Sequence, residues 1–191
     1  MASKKIAVMG THHSGKTTLI KNISNFLKAK GYSIGLVKEV VRDCPYQINE
    51  MATLKAQDWV LEEQMKRENS LEGKFDIIIL TDRCILDNFA YWKRVAERLK
   101  LGTEEISKKE KKVFEHAKKY SIILFLQPFK AEKIEDDKFR SVDFAWREEM
   151  HKRIEDVVKR FSSQYDTPIV YVKGNANEMF EESIKHVLDV L

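Results

Sequence analysis

The chain has 191 residues, 43% of them hydrophobic and 34% charged, with a formal net charge of +4. That balance describes a globular domain long enough to bury a core and contains no apolar run of membrane-spanning length. The mild positive charge suits an anionic ligand and gives no argument for nucleic acid.

In chain order, Lys5–Met9 is a short apolar run that reads as a buried strand. It follows the N-terminus so closely that a signal peptide is not expected. A helical segment at about 16–29 comes next, with apolar residues at 19/20, 23 and 26/27. Ser33–Val37 is the second strand, and a helix is expected over about 50–70. Asp76–Leu80 is the third strand, followed by helices at about 84–99 and 107–119. Ser107 with Glu110 reads as a capping box for the latter. Ile122–Leu126, a helix at about 142–163, the strand Ile169–Val172 and a helix at about 177–190 complete the series. Gly31 and Gly73 are expected to close helices before strands two and three. The strands are rich in Ile, Val and Leu without polar alternation, which suits parallel strands covered on both faces. Alternating strands and helices predict a doubly wound α/β sheet. The Lys-rich stretch 108–119 reads as a solvated helix face. Cys44 and Cys84 sit in unrelated contexts and read as free thiols of a reducing, cytoplasmic setting.

Such sheets gather ligands at the carboxyl ends of their strands. After the first strand, Gly10-Thr11-His12-His13-Ser14-Gly15-Lys16-Thr17 spells G-x-x-x-x-G-K-[ST]. A chance match in a chain of this length has odds of about one in a hundred, and the flanking strand and helix are the context this motif needs. Glycines let backbone N–H groups wrap a polyphosphate, and the helix opening near Lys16 adds its own N–H groups and positive dipole end. Lys16 is expected to reach the β- and γ-phosphates, Thr17 to ligate Mg²⁺, and Thr18 to add a phosphate contact. His12 and His13 lie inside the loop where residue type is free. They read as loop surface or nucleotide contacts, because no nearby Cys or third His completes a metal set.

After the second strand come Glu39 and Arg42. The carboxylate suits proton abstraction from a substrate hydroxyl, and the arginine suits an anionic group on the acceptor. A surface ion pair is the structural alternative. The third strand runs into Thr81-Asp82-Arg83. Asp82 is the expected outer partner of Mg²⁺, and Arg83 suits transferring phosphate because a guanidinium stays charged and grips oxygens in pairs. Beyond the fourth strand, Arg140 and Arg147 suit a basic segment closing over the polyphosphate to exclude water, whereas Phe144, Trp146 and Ile154 read as packing. Arg153 belongs to the same basic cluster. On the second helix, Met51, Leu54, Leu61 and Met65 mark a core stripe interrupted by Asp58. Gln57 beside it suits reading a base amide, and Trp59 reads as core.

Gly10 to Leu19, Glu39-Val40-Val41-Arg42, Asp82-Arg83-Cys84-Ile85-Leu86-Asp87-Asn88-Phe89-Ala90-Tyr91 and Arg140-Ser141-Val142-Asp143 together resemble the P-loop ATPase/kinase-like family that includes nicotinamide riboside kinases. That family is akin to thymidylate kinase and the deoxynucleoside kinases. The loop is generic, while the Asp-Arg-x-x-x-Asp-Asn element is more selective. The resemblance spans nearly the whole chain and implies a single domain over 1–191. It implies a five-stranded parallel sheet in order 2-3-1-4-5 and a lid at about 127–147. It further implies ATP and Mg²⁺ as cofactors. Carried over by position, Lys16 and Thr17 bind phosphates and Mg²⁺, Asp82 supports Mg²⁺, Arg83 contacts transferring phosphate, Glu39 is the candidate base and Arg140 is the lid arginine. Beside the resemblance, the residues themselves suggest Gly10, His13, Ser14, Gly15, Thr18 and Arg147 for the nucleotide, Lys16, Glu39, Arg83 and Arg140 for transfer, and Glu39, Arg42, Gln57 and Asp87 for the acceptor. Asp87 resembles the acid that deoxynucleoside kinases use near the base, although its spacing from the arginine differs by one residue. The partner expected is a small-molecule phosphate acceptor, with a homodimer left open. A second reading also rests on resemblance. The first forty residues resemble the molybdopterin-guanine dinucleotide accessory GTPases, but no Asn-Lys-x-Asp guanine motif follows. An ATP-driven switch that binds a protein partner is the third.

Overall fold

The computed structural model describes residues 3–10, 14–48, 51–80, 83–127 and 144–191. Five parallel strands form one sheet: β1 (Lys4–Gly10), β2 (Ile34–Val37), β3 (Ile77–Leu80), β4 (Ile122–Leu126) and β5 (Ile169–Val172), in the order β2-β3-β1-β4-β5. The helices are α1 (Lys16–Ala29), α2 (Leu54–Leu71), α3 (Ile85–Arg98), α4 (Thr103–Ala117), α5 (Phe144–Ser162) and α6 (Ala176–Asp189), with a 3₁₀ turn at Val40–Asp43. Among the described residues no helix is long and apolar enough to cross a membrane.

The central strand shows why the sheet is covered twice. Side chains alternate across a strand, so Ile6 and Val8 enter one core while Ala7 and Met9 enter the other. The Ile6 and Val8 face packs against Leu19, Ile23 and Leu27 of α1 and Met179 and Val187 of α6. The opposite face carries the larger core, built from Leu61 of α2, Phe89 and Trp92 of α3, Phe114 of α4 and Val158 and Phe161 of α5. β1 and β4 are covered on both faces, which explains their unbroken apolar runs.

Two expected boundaries move. α4 starts at Thr103 with Gly102 at its N-cap, so Ser107 is an interior residue and caps nothing. Glu104 and Glu105 occupy the first turn, where acids complement the helix dipole. Glu110 instead accepts from Nε and Nη2 of Arg160 at 2.7 and 2.8 Å, a two-pronged pair that ties α4 to α5. α2 starts at Leu54 because Thr53 Oγ1 accepts from the Ala56 amide at 3.2 Å. Met51 therefore lies outside the helix and is 67% exposed, and Trp59 is only half-buried. The large buried indole is Trp92. Gly31 and Gly73 do follow the ends of α1 and α2. Both cysteines are free, as expected.

Candidate functional site

Strand register brings the candidate residues to one edge of the sheet. Ala7 pairs with Leu80 and Val37 with Leu80, so Gly10 and Arg83 each lie three residues past a paired position and Glu39 two past another. Gly10, Glu39 and Arg83 thus share the carboxyl edge.

Gly10 ends β1 with φ 144°, and a Cβ there would come within 2.6 Å of the Leu126 carbonyl oxygen. Only glycine satisfies both limits. Gly15 is left-handed at φ 82° and delivers the chain into α1. No side chain caps α1, and its first turn carries no acid. The positive dipole end of that helix is therefore not offset by a side chain of its own first turn. Ser14 is 1% exposed, and its hydroxyl has no hydrogen-bond partner among the described residues. A buried hydroxyl without a partner costs roughly 1–3 kcal/mol, a cost that an anionic oxygen bound here would remove. Lys16 is buried, and its Nζ donates to the Gly10 carbonyl at 3.0 Å. Thr17 and Thr18 are exposed on the first turn of α1. These residues fit a polyphosphate. Three expected site residues, His13, Asp82 and Arg140, lie outside the described residues, as do the side chain of Arg147 and nearly all of the expected lid.

Glu39 stands at the start of the 3₁₀ turn, and Arg42 Nε donates to its Oε2. The surface ion pair weighed from sequence is thus present, with Arg42 at 47% and Glu39 at 14% exposure. The turn is pinned by buried Val40 and by Asp43, whose Oδ2 accepts from Arg67 of α2 at 2.8 Å.

The Arg83 guanidinium stacks on the Tyr91 ring at 4.2 Å, one element of a ladder that crosses to α5. Tyr91 meets Trp146 edge-on at 6.3 Å, and Arg94 lies over Trp146 at 3.9 Å. Trp146 and Ile154 are buried packing residues, as read. Arg153 is tied to Glu97 at 2.6 Å and Glu149 at 2.8 Å, which fixes it to the α3–α5 interface and removes it from a basic lid. Asp87 is 1% exposed, and its Oδ1 accepts from the Cys84 thiol at 3.2 Å. Burial, then the Asp87 charge, pushes the Cys84 thiol well above its ordinary range, so it stays a neutral donor.

Gln57 is buried on the first turn of α2. Its neighbour Asp58 accepts from Trp92 Nε1 at 2.9 Å and Lys109 Nζ at 2.7 Å, so the polar break in the stripe is a structural junction. That bond sets the start of α2 beside the middle of α3. Asn88 was missed from sequence. It is 1% exposed, and neither of its amide atoms has a partner among the described residues. Two adjacent polar residues inside the apolar first turns of the helix were the available signal.

A family model described as "AAA domain" matches residues 5–178. No curated protein sequence matches the chain. Among solved structures, a NadR protein in complex with NR superposes with a TM-score of 0.70 at 19% identity, covering 98% of this chain and 50% of that one. The chain therefore spans half the length of that protein. Deoxyadenosine kinase from M. mycoides, with products dCMP and a flexible dCDP bound, gives 0.70 at 21% identity over 98% and 100% of the two chains. Thymidylate kinase from Ehrlichia chaffeensis gives 0.63 at 17% identity over 98% and 100%. At these identities the likeness establishes the fold, a P-loop sheet of kinase type.

Proposed function

The chain belongs to the AAA-domain family of P-loop proteins, and from that premise we propose ATP- and Mg²⁺-dependent phosphoryl transfer to a small nucleoside, nucleotide or riboside acceptor. The observation that carries the reading is the head of α1, uncapped, free of acid, and lined by Lys16 and the unpartnered Ser14 hydroxyl. Backbone N–H groups and Lys16 hold the polyphosphate, and Lys16 offsets charge on the transferring group. Thr17 and Asp82 are the residues that would hold Mg²⁺, which supplies further charge neutralisation when bound. Arg83 and Arg140 face the same negative charge, with His13, Thr18 and Arg147 as further nucleotide contacts. Glu39 orients or deprotonates the acceptor hydroxyl, and Arg42, Gln57 and Asp87 hold the rest of the acceptor. The kinases named above act as a fold-level guide to that acceptor class.

Buried polar groups at the head of α3, Asp87 and Asn88, favour an acceptor pocket over a switch that needs none. A guanine-specific accessory protein is disfavoured on a second ground. Asn175, in the place nearest a guanine-reading motif, accepts from the amides of Asn177 and Glu178 and completes a capping box for α6. ATP is accordingly expected to bind more tightly than GTP. Competition of both against a fluorescent ATP analogue measures this, and equal or tighter GTP binding reverses the choice. The reaction itself is tested by presenting ATP with a panel of nucleosides, nucleotides and ribosides while following hydrolysis. Hydrolysis without transfer to any of them would favour the partner-binding switch.

Asp82→Asn should weaken Mg²⁺-dependent turnover more than nucleotide binding, because the loop carries most of the phosphate contacts. A shifted Mg²⁺ titration with nucleotide Kd nearly unchanged is the expected result. An unchanged titration removes Asp82 from the site.

A further inference from the structure

α3 carries Arg83 just before its start and Asp87 and Asn88 in its first turns, yet its own sequence does not cap it. Cys84 is the N-cap residue and its side chain makes no capping bond. The cap comes from elsewhere in the chain. The first helical amide, Ile85 N–H, donates to the Tyr120 hydroxyl at 3.1 Å, across 35 residues. That hydroxyl in turn donates to Glu68 Oε1 at 3.0 Å. Tyr120 is 3% exposed and Glu68 fully buried.

The direction of each bond follows from chemistry. An ionised carboxylate only accepts, so the Tyr120 proton points at Glu68 and the hydroxyl lone pair is left for Ile85. Burial, then the Glu68 charge, pushes the Tyr120 hydroxyl well above the ordinary tyrosine range, which keeps that proton in place. Glu68 is held from three further sides. Gln64 Nε2 donates at 2.9 Å, His116 Nε2 lies at 2.7 Å, and Lys5 Nζ stands 3.8 Å away while pairing with Glu72 at 2.5 Å. β1, α4 and the turn before β4 thus converge on the Glu68 carboxylate of α2, which in turn orients the Tyr120 hydroxyl. A buried carboxylate is costly unless its oxygens are bonded in this way. Such a device is large for the task of packing alone, since an apolar cluster of equal volume would hold these elements as well.

We propose that Tyr120, oriented by Glu68, is a positioning residue for phosphoryl transfer: it fixes the head of α3 and so the placement of Arg83 and Asp87 against the transferring phosphate and the acceptor. The inference rests on the phosphoryl-transfer reading above. Its expected effect falls on transfer and the acceptor rather than on ATP affinity, because the nucleotide loop is built on β1 and α1 rather than on α3.

The test is Tyr120→Phe in the full chain, with the isosteric Glu68→Gln as a second variant that keeps an acceptor for the tyrosine proton. Two readouts are taken: amide hydrogen exchange across 83–90, and steady-state kinetics with the acceptor that the panel identifies. The expected result for Tyr120→Phe is exchange at Ile85 faster by about tenfold, with β1 and β4 amides unchanged. kcat falls by about tenfold while KM for ATP stays within about twofold. Glu68→Gln should show the same pattern, weaker. Unchanged exchange at Ile85, or an equal loss of ATP affinity and kcat, overturns the proposal. If the wild-type protein phosphorylates no acceptor, the kinase reading fails, and the Ile85 amide still reports separately whether Tyr120 holds α3.

Discussion

Lys16→Ala is expected to lower kcat by about 10³-fold while leaving the fold intact. Removing one well-placed neutral donor from a site of developing charge costs about 10²–10³ in rate, and Lys16 carries a full positive charge. The structural loss is small by comparison. Its Nζ donates to the Gly10 carbonyl, and a hydrogen bond from a charged group is worth about 1.5–3 kcal/mol net. Alanine is also the best helix former at the first position of α1. Thermal unfolding should therefore move by a few degrees, while single-turnover transfer nearly disappears. A variant with activity within tenfold of the wild type would remove Lys16 from the reacting phosphates.

Glu39→Gln should reduce kcat by roughly 10²–10⁴-fold, the usual range for loss of a general base, with ATP affinity nearly unchanged. The competing view has direct support, since Arg42 donates to Glu39 at the protein surface. Magnitude separates the two. An exposed ion pair is worth about 0–1 kcal/mol, so a purely structural Glu39 would leave kcat as it was and shift the melting temperature slightly. The measurement is kcat and ATP Kd together, with the panel acceptor. Intact kcat with a large fall in ATP affinity would make Glu39 a metal or structural residue.

The sheet was legible because its signals are local. Runs such as Ile6-Ala7-Val8-Met9 and Ile77-Ile78-Ile79-Leu80 announce strands, and a fixed motif joins β1 to α1. The strand order was not local, and only the resemblance carried it. Helix starts were read less well where two capping signals competed. Thr53 caps α2, which starts about four residues later than expected, and the acids at 104 and 105 moved the start of α4 four residues ahead of Ser107. The nucleotide side could be read from spacing alone, since one short segment supplies most of it. The acceptor side draws on β2, α2 and α3, whose mutual placement depends on side chains far apart in sequence. Asp58 read as a break in a core stripe and is a bond to Trp92. Asn88 looked like part of a motif and is a buried amide. Tyr120, in an ordinary turn before β4, gave no sign that it caps a helix 35 residues earlier.

The position of β1 in the middle of the sheet has a consequence for how the chain acquires its structure during synthesis. Ile6 pairs with Ile79 on one side and Ile122 on the other. β1 therefore leaves the ribosome with both edges bare, and its second neighbour arrives only after more than a hundred further residues. At 5–20 residues per second, that interval is on the order of ten seconds. Contacts so distant in sequence make the closure of the sheet slow relative to its helices. Until β4 docks, an apolar strand with open hydrogen-bonding edges is a template for other chains. That interval is therefore when this chain is most open to pairing with another copy of itself.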